Sequence, residues 1–536
     1  MIRPTLFTIF FFLIACGGGG GGSSSSQTTQ PPLVTQPTDP VEEAEITFTR
    51  DLNAGLRRPF GTESDSDLAF SSGGVAASDF DGDGDIDLLF VGGNTEPNHL
   101  YENQGDGTFV EIATDVGLDI VNWASGPAFG DIDGDGDLDL FIGAINDLVF
   151  LFENRLNEVE ASFVDITADS GIVVNSAVSS TFFDYDGDGY LDLFVTHWGT
   201  KRQPGEDTET VWRNNGDYTF ENRSIETGVA AGLLEVDTDW SFTASFSDID
   251  GDGDGDLLIA SDFETSQVLR NNGDGTFSKI TDRDVIVDQD GMGSAIGDFD
   301  NDGDMDWFVT SIYNLDIGED LFGNRLYRND GEGLFTDVTE ESATSDGSWG
   351  WGACAADFDN DTHVDLAHVN GWRERPDIDY VTDQARLFRN MGESGILFDD
   401  RSTESGFNDR GQGRGIVCFD AERDGDIDIV ISNNENDGVV FYRNETDTSN
   451  HYLAIRLVAT GMNSFGVGAH ITLTTDDGSQ VRELGGANNY VSHNPFEVHF
   501  GLGAATRADV TVRWLDGETT TLTAVDADQL LTINQE

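Results

Sequence analysis

One nine-residue pattern occurs seven times in this chain, and no other feature restricts its fold as strongly. The first copy, DFDGDGDID, carries Asp79, Asp81, Asp83, Asp85 and Asp87. The second, DIDGDGDLD, sets Asp131, Asp133, Asp135, Asp137 and Asp139 at the same five positions. The third, DYDGDGYLD, has Asp184, Asp186, Asp188, Tyr190 and Asp192. The fourth has Asp248, Asp250, Asp252, Asp254 and Asp256, and the fifth has Asp298, Asp300, Asp302, Asp304 and Asp306. The sixth has Asp357, Asp359, Asp361, His363 and Asp365, and the seventh has Asp420, Glu422, Asp424, Asp426 and Asp428. The starts lie 52, 53, 64, 50, 59 and 63 residues apart, as expected when loops of varied length are inserted into a constant unit.

Each unit keeps one internal order. Small residues precede the acidic loop, as in Gly74-Val75-Ala76-Ala77-Ser78, and an apolar run such as Leu88 to Val91 follows it. A third run ends in an Asn-rich turn, as in Val268 to Asn272, and a fourth run closes the unit, as in Phe163 to Thr167. Four short strands per unit with no helical period predict a propeller blade. The expected fold is all-β: a seven-bladed β-propeller over 45–447, then a small C-terminal β-sandwich-like domain over 448–536 with about seven strands. The small residues fit a first strand that lines a crowded central channel. The seventh unit lacks its fourth run, and Ile46 to Asp51 supply one, so the N-terminal strand is expected to close the ring.

The acidic loops read as calcium sites. Carboxylates at the first, third, fifth and ninth positions can converge if the chain curls, and Gly at the sixth permits the curl. The seventh position varies and would offer its carbonyl. Calcium accepts six to eight oxygens, whereas magnesium resists dehydration and demands tighter geometry. An EF-hand is excluded, because it needs Glu at the twelfth position. That position here holds Phe90, Ile142, Val195, Ile259, Val309, His368 and Ile431. Up to seven ions are expected. The sixth and seventh loops should hold theirs least well, since Thr362 replaces Gly and Glu422 replaces Asp.

Composition narrows the partners. The 101 acidic residues against 27 basic ones give a net charge of −74. That excludes a phosphate-binding face for DNA or RNA and disfavours anionic headgroups. Membrane attachment is expected only through a lipid anchor. Residues 1–16 combine Arg3, a short apolar stretch and Leu13-Ile14-Ala15-Cys16. They resemble the signal peptide and lipobox of bacterial lipoproteins, which implies lipidation at Cys16 and residence in the envelope, at the outer membrane or cell surface. Residues 17–44 are Gly/Ser-rich and then Pro-containing, the composition of a tether.

The repeats resemble the FG-GAP/VCBS repeats of integrin α-like propellers, with 184–192 the nearest copy. The tail resembles the ASPIC/UnbV domain through Asn450 to Leu453, Gly466 to Ala469, Arg482-Glu483, His499 to Gly503, Val512 to Trp514 and Asp528 to Leu531. The pairing resembles the bacterial relatives of cartilage acidic protein. The resemblance implies that ligands meet the face opposite the acidic loops.

Trp123, Trp240 and Trp349 each stand eight residues before an acidic loop, in alternate units, where they would ring the channel mouth. Trp351, His197, Trp198, Tyr313, Trp372 and Arg373 fall on the same side. An exposed rim of this kind suits a protein or glycan ligand, and a tryptophan plug is the alternative. The chain is read as a monomeric binding or adhesion propeller. A polysaccharide-processing enzyme with an acid/base pair near Trp240, such as Asp237 or Asp239, and a purely structural envelope protein are the other readings. No nucleophile elbow, phosphate loop, zinc motif or dinucleotide fingerprint occurs. Cys354 and Cys418 are expected to be small buried apolar residues rather than a disulfide.

Overall fold

Apolar runs of four to six residues behind each acidic loop are too short for helices and become fully buried second strands, such as Asp87–Phe90 and Asp256–Ser261. The computed structural model describes residues 45–536 except 62–65, 157–161, 235, 315–320, 374–379, 393–394, 435–437 and 487. The proposed signal, Cys16 and the tether lie outside the described residues.

Seven sheets each contain four antiparallel strands, in chain order in six of them and with the N-terminal strand as the fourth in the seventh, and two sheets gain a fifth strand. Their first strands are Val75–Ser78, Ala124–Gly130, Ser180–Phe183, Thr238–Ser247, Ser294–Gly297, Gly350–Ala356 and Gly413–Phe419. Each first strand packs against the next, and the seventh packs against the first, so the blades form a closed ring. Aromatic residues fill the gaps between blades. Phe183 and Phe246 stack at 4.6 Å, and Phe194 meets Phe246 edge-on at 4.4 Å.

The N-terminal strand Phe48–Asp51 pairs with Val439–Asn444 in the register Phe48↔Asn444 to Asp51↔Phe441 and completes the seventh blade. Phe48 is buried against Phe358 and Phe407. A disulfide joins Cys354 to Cys418 across the first strands of the sixth and seventh blades, beside the same seam. This corrects the expectation of two separate thiols: neighbouring first strands bring the two Cα atoms to 6.5 Å, within bonding range.

The tail forms two sheets. One orders Glu497–Gly503, His451–Val458 and Leu530–Asn534, the last two parallel. The other orders Ser479–Glu483, His470–Thr474, Arg507–Arg513 and Thr519–Asp526. The seven strands fall where alternation places them. Propeller and sandwich belong to one compact unit, Ala44–Glu536.

Sequence reasoning did not anticipate the segment between the sandwich strands. Residues 485–486 and 488–495 run as a finger into the channel. Ser492–His493 adds a parallel strand to Val75–Ser78. Phe246 N–H donates to the Gly486 carbonyl, Ala353 N–H to the Asn489 carbonyl and Val491 N–H to Ser179 Oγ. Tyr490 is wholly buried at the finger's tip, where its hydroxyl donates to the Ser71 carbonyl. Tyr490 and Val491 both hold positive φ, +82° and +40°, a strained pair fixed by these contacts. The small residues of the first strands therefore make room for the finger as well as for one another. A Cβ on Gly74 would run into the Val491 carbonyl.

Ring closure is open to measurement. Phe48→Ala should lower unfolding free energy by about 3–5 kcal/mol, as for a buried aromatic truncation. An unchanged denaturation midpoint would show that the N-terminal strand does not hold the ring.

Candidate functional site: the acidic loops

The seven loops share one set of main-chain bonds, which shows why the pattern needs those residues. The sixth position takes positive φ in every copy, from +89° to +104°. Glycine suits it in six loops, and Thr362 adopts it in the sixth at +89°. With that turn made, the N–H of the sixth residue donates to the first carboxylate at 2.8–3.2 Å in all seven. The fifth carboxylate accepts the seventh N–H at 2.9–3.1 Å. Asp85, Asp137, Asp254, Asp304 and Asp426 therefore enter the loop through their backbone, as do Tyr190 and His363.

The ninth carboxylate is at most 1% exposed in every copy. One oxygen accepts the N–H of the second loop residue at 3.0–3.3 Å. The other accepts the N–H of an asparagine on the third strand at 2.7–2.8 Å. Those asparagines are Asn103, Asn154, Asn214, Asn271, Asn329, Asn390 and Asn444. Each also donates its side-chain amide to the second loop residue of the preceding blade, at 2.8–2.9 Å. Asn103 reaches Ala421 and closes the circuit. These seven staples were visible only as an Asn-rich turn. Their constant place at the end of the third strand was the signal.

The first, third and ninth carboxylates converge in the first four loops, with one oxygen from each mutually within 4.8 Å: Asp79/Asp81/Asp87, Asp131/Asp133/Asp139, Asp184/Asp186/Asp192 and Asp248/Asp250/Asp256. In the fifth loop Asp298, Asp300 and Asp302 do so. Buried carboxylate oxygens without a donor remain on Asp79, Asp248, Asp300 and Asp359. Such oxygens are costly unless paired. Clustered hard oxygens with unmet valence fit a divalent cation of calcium's kind.

Burial drives the carboxyl groups up. Asp131 and Asp184 are pushed to about 6, Asp298 to about 7 and Asp256 to about 8, with burial the leading cause in each. Asp139, Asp192 and Asp306 are held well above the carboxylate range for the same reason. Around the sixth loop Arg389 bonds Asp359 at 2.8 Å and Asp361 at 3.1 Å, and His363 lies 3.2 Å from Asp361. In the seventh, Arg443 pairs with Glu422.

The sandwich roofs this face. Arg456 pairs with Asp79 at 3.1 Å, Arg513 with Asp248 at 2.6 Å, and Ser464 donates to Asp131. On the opposite face the expected rim is largely closed. Trp349, Trp351 and Trp372 are buried at 7%, 2% and 3% exposure. Trp372 stacks on both others at 4.8 and 5.3 Å, and the Arg414 guanidinium lies over Trp351 at 4.2 Å. The finger's Tyr490 packs on Trp351 and Phe242 at 5.3 and 5.5 Å. These three tryptophans cap the plugged channel, which corrects the exposed rim at their positions. His197 is fully buried, with Nδ1 3.1 Å from the Ser176 carbonyl, and has no place on a surface. Arg373 pairs with Asp67, and Tyr313 belongs to a small hairpin with Phe322. Trp123 is half-buried, its indole donating to Ser72. Asp239 is buried and accepts hydrogen bonds from the Ser241 N–H and hydroxyl. Trp198 and Trp240 remain half-buried at 5.3 Å from each other, and Phe263, 54% exposed, lies 4.6 Å from Trp240.

These features describe a β-propeller followed by a β-sandwich, and family models match both parts. The FG-GAP-like repeat family matches residues 79–142, 184–259, 248–309 and 317–368, and the ASPIC and UnbV family matches 459–536. The chain is similar to cartilage acidic protein 1 of Mus musculus, 26% identical over 534 residues, covering 91% of this chain and 77% of that protein. It is likewise similar to the Homo sapiens protein of that name, 26% identical over 523 residues, covering 90% and 74%. Among solved structures, an Agrocybe aegerita lectin described for recognition of non-reducing terminal N-acetylglucosamine aligns with a TM-score of 0.41 at 16% identity, over 70% of this chain and 93% of its own.

The raised carboxyl groups set a pH dependence. Their folded-state values exceed the unfolded ones, so the folded chain binds more protons between about pH 4 and 8 and loses stability as pH rises through that window. In chelator, Tm should therefore climb on going from pH 8 to pH 5. A Tm that falls over that interval would contradict the burial of these groups.

Proposed function

We propose that this protein is a calcium-stabilised, surface-anchored binding propeller that engages a protein or glycan by the face opposite its acidic loops. An FG-GAP propeller fold suggests a protein-binding or adhesion-type role. The observation that carries the choice of face is the roof: the sandwich covers the acidic-loop side, and its finger seals the channel. The other face keeps the aromatic group Trp198, Trp240 and Phe263. Phe263 and Glu264 both hold φ of +59°, so the loop spends strain to present that ring. Exposed Val121, Leu148 and Val173 lie on loops of the same side.

Calcium would be held by the first, third and ninth carboxylates, as far as seven ions, with the sixth and seventh loops weakest. Bound ions would neutralise charges that otherwise repel by roughly 1 kcal/mol per pair in water and about 4 near a protein surface. Lipidation at Cys16 and an envelope location complete the reading. The Cys354–Cys418 disulfide supports it, since such bonds persist in oxidising compartments. No helix among the described residues is long and apolar enough to cross a membrane.

Two measurements test this. Calcium should raise Tm by mass action on the folded state, and calorimetry that detects no binding with Tm unchanged in chelator would remove the metal. Trp240→Ala and Phe263→Ala should each weaken adhesion to immobilised envelope glycans or surface protein from its own environment by tenfold or more, with little change in Tm, as interface aromatics do. Undiminished adhesion by both variants would move the binding face elsewhere.

A further inference from the structure

The residue before each stapling asparagine is charged, in four blades it contacts the third carboxylate of its own loop, and its sign divides the loops into two classes. In the third blade Arg213 reaches Asp186 at 2.5 Å and also pairs with Asp188. In the fourth Arg270 lies 3.5 Å from Asp250. In the sixth Arg389 bonds Asp359 and Asp361, and its side chain is only 7% exposed. In the seventh Arg443 pairs with Glu422. The fifth has Arg328, which turns instead to Asp330 at 2.6 Å. The first and second blades have Glu102 and Glu153 at this position. In the second blade the Tyr218 hydroxyl donates to Asp133 and lies 3.3 Å from Glu153, so this glutamate also sits next to the third carboxylate.

We propose that this position tunes the divalent-cation affinity of each loop: the third-strand arginines act as resident counter-cations that weaken their sites, and the glutamates strengthen the first two loops. The inference rests on the calcium reading above and adds an order of filling to it. Glutamate contributes a seventh or eighth hard oxygen, directly or through water, of the kind calcium accepts. A guanidinium at the third carboxylate occupies the same oxygen and repels a second cation. Arg389 is the extreme case. It is buried, it holds two carboxylates, and its loop lacks the glycine of the others. The sixth loop is accordingly closed by an arginine in place of an ion.

The full chain, stripped with chelator, would be titrated with calcium by calorimetry and with terbium by luminescence. Two sites should fill at least tenfold more tightly than the rest. Glu102→Gln and Glu153→Gln should each weaken one tight site roughly tenfold, the scale of losing one nearby charge. Arg389→Gln should gain one bound ion, whereas Arg389→Lys, which keeps the charge, should match the parent. Identical isotherms for Arg389→Gln and the parent, or tight sites untouched by both glutamate changes, overturn the inference while leaving calcium binding in place. No binding of either ion by the parent overturns the calcium reading itself.

Discussion

The ring depends on one buried group, repeated: the ninth aspartate of each loop. Its two oxygens tie the loop's own start to the third strand, through main-chain N–H groups alone. The same asparagine that satisfies it then crosses to the preceding blade. Loop geometry and blade-to-blade spacing are thus fixed by one cluster of hydrogen bonds. A net contribution of about 1 kcal/mol per bond is modest. Leaving the buried carboxylate or carbonyl unpaired costs about 1–3 kcal/mol, and that asymmetry is what makes every position in the circuit hard to vary.

This arrangement loads the interior of each loop with negative charge. Seven such loops lie on one side of a chain that is already strongly acidic. The sandwich answers with Arg456 and Arg513, and the third strands answer with Arg213, Arg389 and Arg443. What is left is a set of clustered carboxylates that could hold a metal ion, with one oxygen each on Asp79 and Asp248 lacking a donor. Part of the charge on this face is thus met from within the molecule, by the sandwich and the third strands.

Local periodicity made much of the architecture legible. Gly and Asp in fixed register define a turn by their own chemistry, and alternation in the tail places strands without tertiary information. The closing strand Phe48–Asp51 was legible because the seventh unit lacked a piece that the chain start supplied. What depends on distant segments was not legible. The residues around Tyr490 carry no period, since their contacts are to several different blades rather than to one sheet. Trp349 and Trp351 have a register compatible with either a rim or a cap, and only the finger's arrival decides for the cap. The Cys354–Cys418 pair, 64 residues apart, required the spacing of two neighbouring blades to be known.

The finger also imposes an order on assembly. The seventh blade borrows its last strand from the start of the chain, and the channel is filled by residues close to its end. During synthesis the first strand must wait, unpaired, until the seventh sheet emerges. The channel cannot be sealed until residue 495 has followed. The ring with its channel filled is therefore available only once the chain from residue 48 to residue 495 has been made. A translation product that stops before the finger exposes an aromatic-lined bore, the kind of surface by which chaperones and proteases distinguish incomplete molecules from complete ones.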